Sequence, residues 1–110
     1  MEFREIGIKH LASYFDIDAE TLPTSCLVER TMGRESYRKI YFVQLPGLEV
    51  EYLVYVYDFT GTEQEIDACR KEFDATTYIM KKEFPTKTRH VPEPLHIWEY
   101  PDHAVILAKM

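Results

Sequence analysis

The sequence predicts a single α+β domain, residues 1–110, in which an antiparallel five-stranded sheet carries two helices packed on one face, in the chain order α-βββ-α-ββ. The chain has the usual length of one domain, with hydrophobic residues at 45% and charged residues at 29%. Apolar residues recur with helical spacing in two segments and alternate in the others. Glycine and proline lie almost entirely between these segments, where they separate one element from the next.

The first half of the chain is predicted to contain a helix and a three-stranded meander. Phe3, Ile6 and Leu11 recur near helical spacing, which predicts a helix over residues 3–15. A turn-forming stretch at 16–23 ends this helix. Three strand-like runs follow at 26–32, 36–44 and 48–59. Residues 33–35 separate the first two runs, and Pro46-Gly47 separates the last two.

The hairpin around Pro46-Gly47 is predicted to have one core face and one half-polar face. Pairing about this turn places Tyr41 opposite Tyr52. Because proline does not suit the two-residue turns of tight hairpins, the alternative is a longer loop with the register shifted by one residue. The predicted core face is mainly valine: Tyr41, Val43, Val50, Tyr52, Val54 and Val56.

The second helix has the clearest local signals in the chain. Thr62 followed by Glu65 is a capping box, so the helix is predicted from Glu63 to about Lys82. Acidic residues open this helix and lysines close it, which matches the helix dipole. Its apolar stripe, predicted to face the sheet, contains Ile66, Cys69, Phe73, Thr77 and Met80.

The C-terminal third is predicted to be a connector followed by a hairpin. Three prolines exclude a helix over 84–94 and predict an extended connector. Two strands follow at 95–100 and 103–109. Their alternation places Trp98 opposite Val105 on one face.

The cysteines and histidines do not predict a metal site, and no cofactor is expected. Cys26 and Cys69 are far apart in the sequence and lack the C-x-x-C spacing of a thiolate site. Cys69 lies on the apolar stripe of the second helix, which predicts a buried structural thiol. His96 and His103 are separated by about 3.3 Å per residue of strand, or roughly 13 Å, too far for two ligands of one ion.

Catalytic signatures are missing as well, so the chain is predicted not to be an enzyme. No serine has the G-x-S-x-G context of a nucleophile elbow, and the four glycines do not form a phosphate-binding loop. The alternative is a small-ligand domain or a modest enzyme with a pocket between the long helix and the sheet. Such a pocket would use polar groups such as Tyr52, His96 and Glu51.

Membrane and nucleic-acid partners are not expected. The N-terminus is charged and no run approaches the roughly 18 apolar residues of a membrane helix, so a cytoplasmic location is predicted. The α-βββ-α order of residues 3–83 resembles that of double-stranded RNA-binding domains. In that family the second helix begins with lysines that bind phosphates, whereas residues 62–67 here carry three acids, which argues against RNA.

Binding of another protein is the predicted function. The formal net charge is −6, and most of the tyrosines fall on strands. Tyrosine is enriched at interface hot spots, and carboxylates around it would steer a basic partner. The alternative is that these tyrosines only line a half-buried sheet. The predicted partner-binding residues share the half-polar face: Phe42, Glu49, Glu51, Tyr55 and Tyr57.

Two kinds of binding protein fit this size and charge. One is an inhibitor, such as an immunity protein that masks a basic toxin. The other is an adaptor, because the element order is similar to the α-βββ-α-ββ-α order of the dedicated chaperones of type III secretion, here without the final helix. Homodimerisation through the sheet face is a third possibility.

Overall fold

Two helices and a five-stranded antiparallel sheet follow one another in the predicted chain order. This computed structural model describes residues 2–30, 37–82 and 91–110. The predicted turn at 33–35 and most of the predicted connector at 84–94 lie outside the described residues. Two short 3₁₀ helices, Ala19–Thr21 and Thr24–Cys26, connect the first helix to the first strand. The helices are α1 (Phe3–Phe15) and α2 (Glu63–Lys81), and the strands are β1 (Leu27–Glu29), β2 (Arg38–Val43), β3 (Tyr52–Asp58), β4 (Glu93–Glu99) and β5 (His103–Lys109).

The position of β5 shows that both faces of the sheet are covered. The strands lie in the order β1-β2-β3-β5-β4, so β5 is enclosed between β3 and β4. Every residue from Ala104 to Ala108 is buried. Because side chains alternate between the two faces of a strand, a continuous buried run requires a cover on each face.

The two helices lie on opposite faces of the sheet, so the prediction that both pack on one face is wrong. Ile8 and Leu11 of α1 pack in one buried cluster with Val56 of β3. Phe73 of α2 packs in a second cluster with Tyr57, the next residue of β3. Since consecutive strand side chains point to opposite sides, the clusters define an α1 face and an α2 face.

The apolar content of the predicted half-polar face explains this arrangement. Leu53 and Tyr57 lie on that face, and each is almost completely buried. Tyr57 packs in one cluster with Cys69 and Phe73 of α2, so α2 shields it from water, which a helix on the other side of the sheet could not do. The predicted apolar stripe of α2 is confirmed, because Cys69, Phe73 and Met80 are its buried residues.

The β2–β3 hairpin has a longer loop than the preferred pairing predicts. Tyr41 lies opposite Val54, two residues further along β3 than Tyr52. A shift of two residues keeps every side chain on its predicted face, whereas a shift of one would not. The predicted core face is therefore confirmed within the strands, but Val50 lies in the loop and is 42% exposed.

The C-terminal hairpin has the predicted pairing. Trp98 lies opposite Val105 and His96 opposite Leu107, so the rings of Trp98 and His96 share the α1 face. The backbone N–H of Tyr100 donates to the carbonyl of His103 at 2.9 Å, which closes the connection between β4 and β5.

Candidate functional site

The connection between β2 and β3 opens into a groove because of its turn chemistry. Leu48 N–H donates to the carbonyl of Leu45 at 3.4 Å, with Pro46 and Gly47 between them. Gly47 has a φ of 83°, the left-handed conformation that the third position of a type II turn requires. Turns of this type do not match the twist of closely paired strands, so the two chain segments separate before the turn.

This β2–β3 groove combines exposed apolar side chains with acidic ones. Its volume is about 560 Å³, within the range of binding sites in proteins. Leu48 and Val50 are each 42% exposed, and Glu49 and Glu51 are exposed beside them. Among the described residues, those that line the groove include these two carboxylates and neither lysine nor arginine. They are Phe42, Val43, Gln44, Leu45, Pro46, Leu48, Glu49, Val50, Glu51 and Tyr52.

The structure divides the predicted partner-binding residues into two groups. Phe42, Glu49 and Glu51 line the groove together. Tyr57 is completely buried beneath α2, so its assignment to a partner-binding surface is wrong. Burial also raises the pKa of Tyr57 to about 12, which keeps its hydroxyl neutral. Tyr55 is half-buried against the same α2 cluster.

Arginine side chains separate the groove from the Tyr55 end of the predicted surface. The guanidinium carbon of Arg30 lies 4.6 Å from the centroid of the Phe42 ring. Arg38 forms an ion pair with Glu72 of α2. Burial raises the pKa of Tyr55, and both arginines oppose that shift, which places their positive charge near its ring. Positive charge therefore lies near Tyr55 and, through Arg30, against the Phe42 ring, whereas Glu49 and Glu51 supply the carboxylates of the groove.

The groups predicted for a ligand pocket do not converge. Glu51 and Tyr52 line the β2–β3 groove, whose lining comes from β2, β3 and their connection. His96 lines a different cavity of about 340 Å³, between Lys81 at the end of α2 and residues 94–97 of β4. Glu51 and Tyr52 thus line one cavity and His96 lines another.

A cluster of aromatic and histidine rings, which the sequence did not predict, lies where α1 meets the β4–β5 connection. The ring of His10 is 5.0 Å from that of Trp98, 5.6 Å from that of Tyr100 and 6.0 Å from that of His103. These partners are about 90 residues away in the sequence, beyond the reach of any spacing rule. The sequence signal that could have indicated this cluster is the position of His10 on the apolar stripe of α1, beside Leu11.

Neither the histidines nor the cysteines form a metal site in the described ranges. Within these ranges, three or more metal-ligating side chains do not come together. Cys26 and Cys69 are both free and buried. The predicted burial of Cys69 is confirmed, and burial raises the pKa of its thiol to about 11, which disfavours the reactive thiolate.

Comparisons with protein-family models, with curated proteins and with solved structures found no match to this chain. Neither described helix has both the length and the hydrophobicity needed to cross a membrane.

Proposed function

We propose that this chain acts by stoichiometric binding of a partner protein, without turnover. The β2–β3 groove receives an extended segment of that partner in which lysine or arginine side chains alternate with apolar ones. The protein is then an inhibitor of the immunity type or an adaptor similar to a secretion chaperone. The observation that carries the proposal is the presence, in one groove, of exposed Leu48 and Val50 beside Glu49 and Glu51.

The chemistry of the groove selects the chemistry of the partner. Burial of apolar side chains at the centre of an interface supplies affinity, and Leu48 and Val50 offer such a surface. The rim carboxylates of Glu49 and Glu51 complement basic side chains and accelerate their association. The net charge of −6 adds a long-range attraction for the same partner.

The acidic lining favours a foreign partner over a second copy of this chain. In a two-fold dimer the same patch faces itself, so Glu49 and Glu51 would meet the carboxylates of the other copy. Like charges at close range disfavour such pairing. A basic partner replaces this repulsion with attraction.

A cytoplasmic location is part of the proposal. Cys26 and Cys69 are both free and buried, on opposite faces of the sheet. Thiols persist in this form in reducing compartments, where disulfides are rare.

The proposal can be tested with two synthetic peptides of equal length, one alternating lysine with leucine and the other alternating glutamate with leucine. We expect the lysine peptide to shift the amide NMR signals of residues 44–51 and the glutamate peptide to leave them unchanged. The double variant Glu49→Gln/Glu51→Gln should weaken binding several-fold, since each exposed charge pair contributes about 0.2–1 kcal/mol.

The matched control is Glu20→Gln/Asp74→Asn, which changes the net charge equally at two exposed positions outside the groove. We expect this control to bind the lysine peptide like the unmodified chain. An equal loss of affinity in both double variants would show attraction by net charge alone and would contradict the proposal. The proposal would also be contradicted if sedimentation at micromolar concentration showed a dimer and if blocking the groove abolished that dimer.

A further inference from the structure

His10 is a buried polar side chain in the core beneath α1, and it is 5% exposed. Its Nδ1 lies 2.8 Å from the carbonyl oxygen of Ile6, one turn earlier in α1. Its Nε2 lies 2.9 Å from the hydroxyl oxygen of Tyr100, in the connection between β4 and β5. The ring therefore joins α1 to the C-terminal hairpin.

These two hydrogen bonds fix the tautomer of the neutral His10 ring. A carbonyl oxygen can only accept, so Nδ1 carries a proton and donates it to Ile6. A neutral imidazole has one N–H, so Nε2 accepts from the hydroxyl of Tyr100. A second proton on Nε2 would turn this acceptor into a donor, and the Tyr100 hydroxyl would have to reverse its direction.

Titratable groups approach His10 from each element packed against it. From β5, the ring of His103 lies 6.0 Å from that of His10. The Asp102 carboxylate is bonded to His103, with 2.7 Å between its Oδ1 and the His103 Nδ1, and it is not bonded to His10. From β4, the ring of His96 lies 4.3 Å from that of Trp98, and the Trp98 ring lies 5.0 Å from that of His10. Within the described residues no carboxylate is bonded to His10, so a charge on its ring would be buried without that compensation.

Burial and neighbouring basic groups disfavour the charged form of His10. Burial lowers the pKa of His10 below its ordinary value. The hydrogen bond to the Ile6 carbonyl opposes this shift, whereas His103 and Lys9 add to it. Burial is the largest of these effects, so the folded chain favours neutral His10.

We propose that His10, Tyr100 and His103 form a pH switch that keeps α1 packed on the β4–β5 hairpin while His10 is neutral and destabilises this packing when His10 is protonated. The switch does not depend on the proposed partner binding at the β2–β3 groove.

The direction of the switch follows from proton linkage. Once α1 has separated from the sheet, His10 titrates near the ordinary histidine value of about 6.5. In the packed form the His10 ring holds its second proton less tightly. The contribution of neutral His10 to the packing of α1 is therefore complete above pH 6.5 and is lost as the pH falls below this value. Uptake of one proton raises the opening constant of α1 by at most about tenfold per pH unit.

Helix α2 provides an internal control for this proposal. It packs on the opposite face of the sheet and contains no histidine between Glu63 and Lys81. Amide hydrogen exchange, corrected for the intrinsic exchange rates, measures the opening of each helix separately. Between pH 7.5 and pH 5.5 we expect the protection of α1 to fall several-fold and that of α2 to stay constant.

Two variants separate the switch from a purely structural role. His10→Gln keeps a polar side chain but cannot titrate, so the protection of α1 should become independent of pH. His96→Gln removes an exposed histidine from the same face and should leave the pH response of α1 intact. Nuclear magnetic resonance of the His10 ring in the unmodified chain should show a pKa below 6.5, a result that does not require either variant to fold.

Three outcomes would overturn the switch. One is a His10 ring that titrates at or above the ordinary value of about 6.5. Another is a loss of protection of the same size in α1 and α2, which would indicate unfolding of the whole chain. The third is a pH response of α1 that persists in His10→Gln.

Discussion

The α1 face and the α2 face of the sheet are stabilised in different ways. Helix α2 has its own start signal, a capping box. The backbone N–H of Glu65 donates to the Thr62 hydroxyl oxygen at 3.2 Å, and the backbone N–H of Thr62 donates to the Glu65 carboxylate at 3.3 Å. At the start of α1, Glu2 makes no side-chain cap, and Gly7 lowers the helix propensity. Yet α1 buries five of its residues and α2 only three. Helix α1 therefore depends on packing, and α2 depends more on its own sequence.

This contrast explains why a pH switch suits α1 and not α2. A helix that depends on contacts with the sheet opens when one of those contacts becomes unfavourable. His10 sits among these contacts, whereas the core residues of α2 are Cys69, Phe73 and Met80, which do not gain a positive charge. The three tests below probe the contrast, from the largest expected effect to the smallest.

Phe73→Ala should have the largest effect, because it removes the centre of the α2 core. The ring of Phe73 is 5.3 Å from that of Tyr57 and 6.0 Å from that of Phe59, both edge-on. Loss of a buried phenylalanine lowers the free energy of unfolding by about 3–5 kcal/mol. Urea unfolding would measure this loss in the free energy of unfolding, and Tyr78→Ala on the exposed side of α2 is the control. A loss equal to that of the control would show that α2 does not cover the sheet.

Gly7→Ala tests whether α1 is held by close packing on the sheet. An added Cβ would lie 2.8 Å from Cδ1 of Leu27 and 3.4 Å from Cγ1 of Val54. Overpacking costs about 1–3 kcal/mol, which exceeds the gain of about 1 kcal/mol in helix propensity. We expect a net loss of up to about 2 kcal/mol in thermal or urea unfolding. A gain in stability would contradict the close approach of α1.

Substitutions at the N-terminal ends of the two helices should change the free energy of unfolding least. Thr62→Ala removes the capping box of α2 and should lower the free energy of unfolding by about 1 kcal/mol. Glu2→Ala at the start of α1 removes no cap bond, so its effect should stay within about 0.5 kcal/mol. Equal effects of the two substitutions in urea unfolding would remove the proposed difference between the helices.

Features decided by neighbouring residues could be predicted from the sequence. The capping box of Thr62 and Glu65 predicted the start of α2, and the spacing of its apolar stripe predicted its buried face. Alternation across a short connection predicted the pairing of Trp98 with Val105. In each case the deciding interactions lie within one turn of helix or one hairpin.

Features decided by distant residues could not be predicted in the same way. Both faces of β3 are apolar, so its pattern does not say which helix covers Val56 and which covers Tyr57. This ambiguity placed Tyr57 on an accessible surface, although α2 buries it. The contact of His10 with Tyr100 joins residues 90 positions apart, and the place of His10 on the apolar stripe of α1 indicates burial without naming its partner.

The position of Trp98 gives the molecule an optical property. It is the only tryptophan in the chain, and its ring contacts those of His10 at 5.0 Å and His96 at 4.3 Å. An imidazolium quenches the excited state of indole more efficiently than a neutral imidazole does. The intrinsic fluorescence of the unmodified protein is therefore a signal from these two histidines, and it needs no added label.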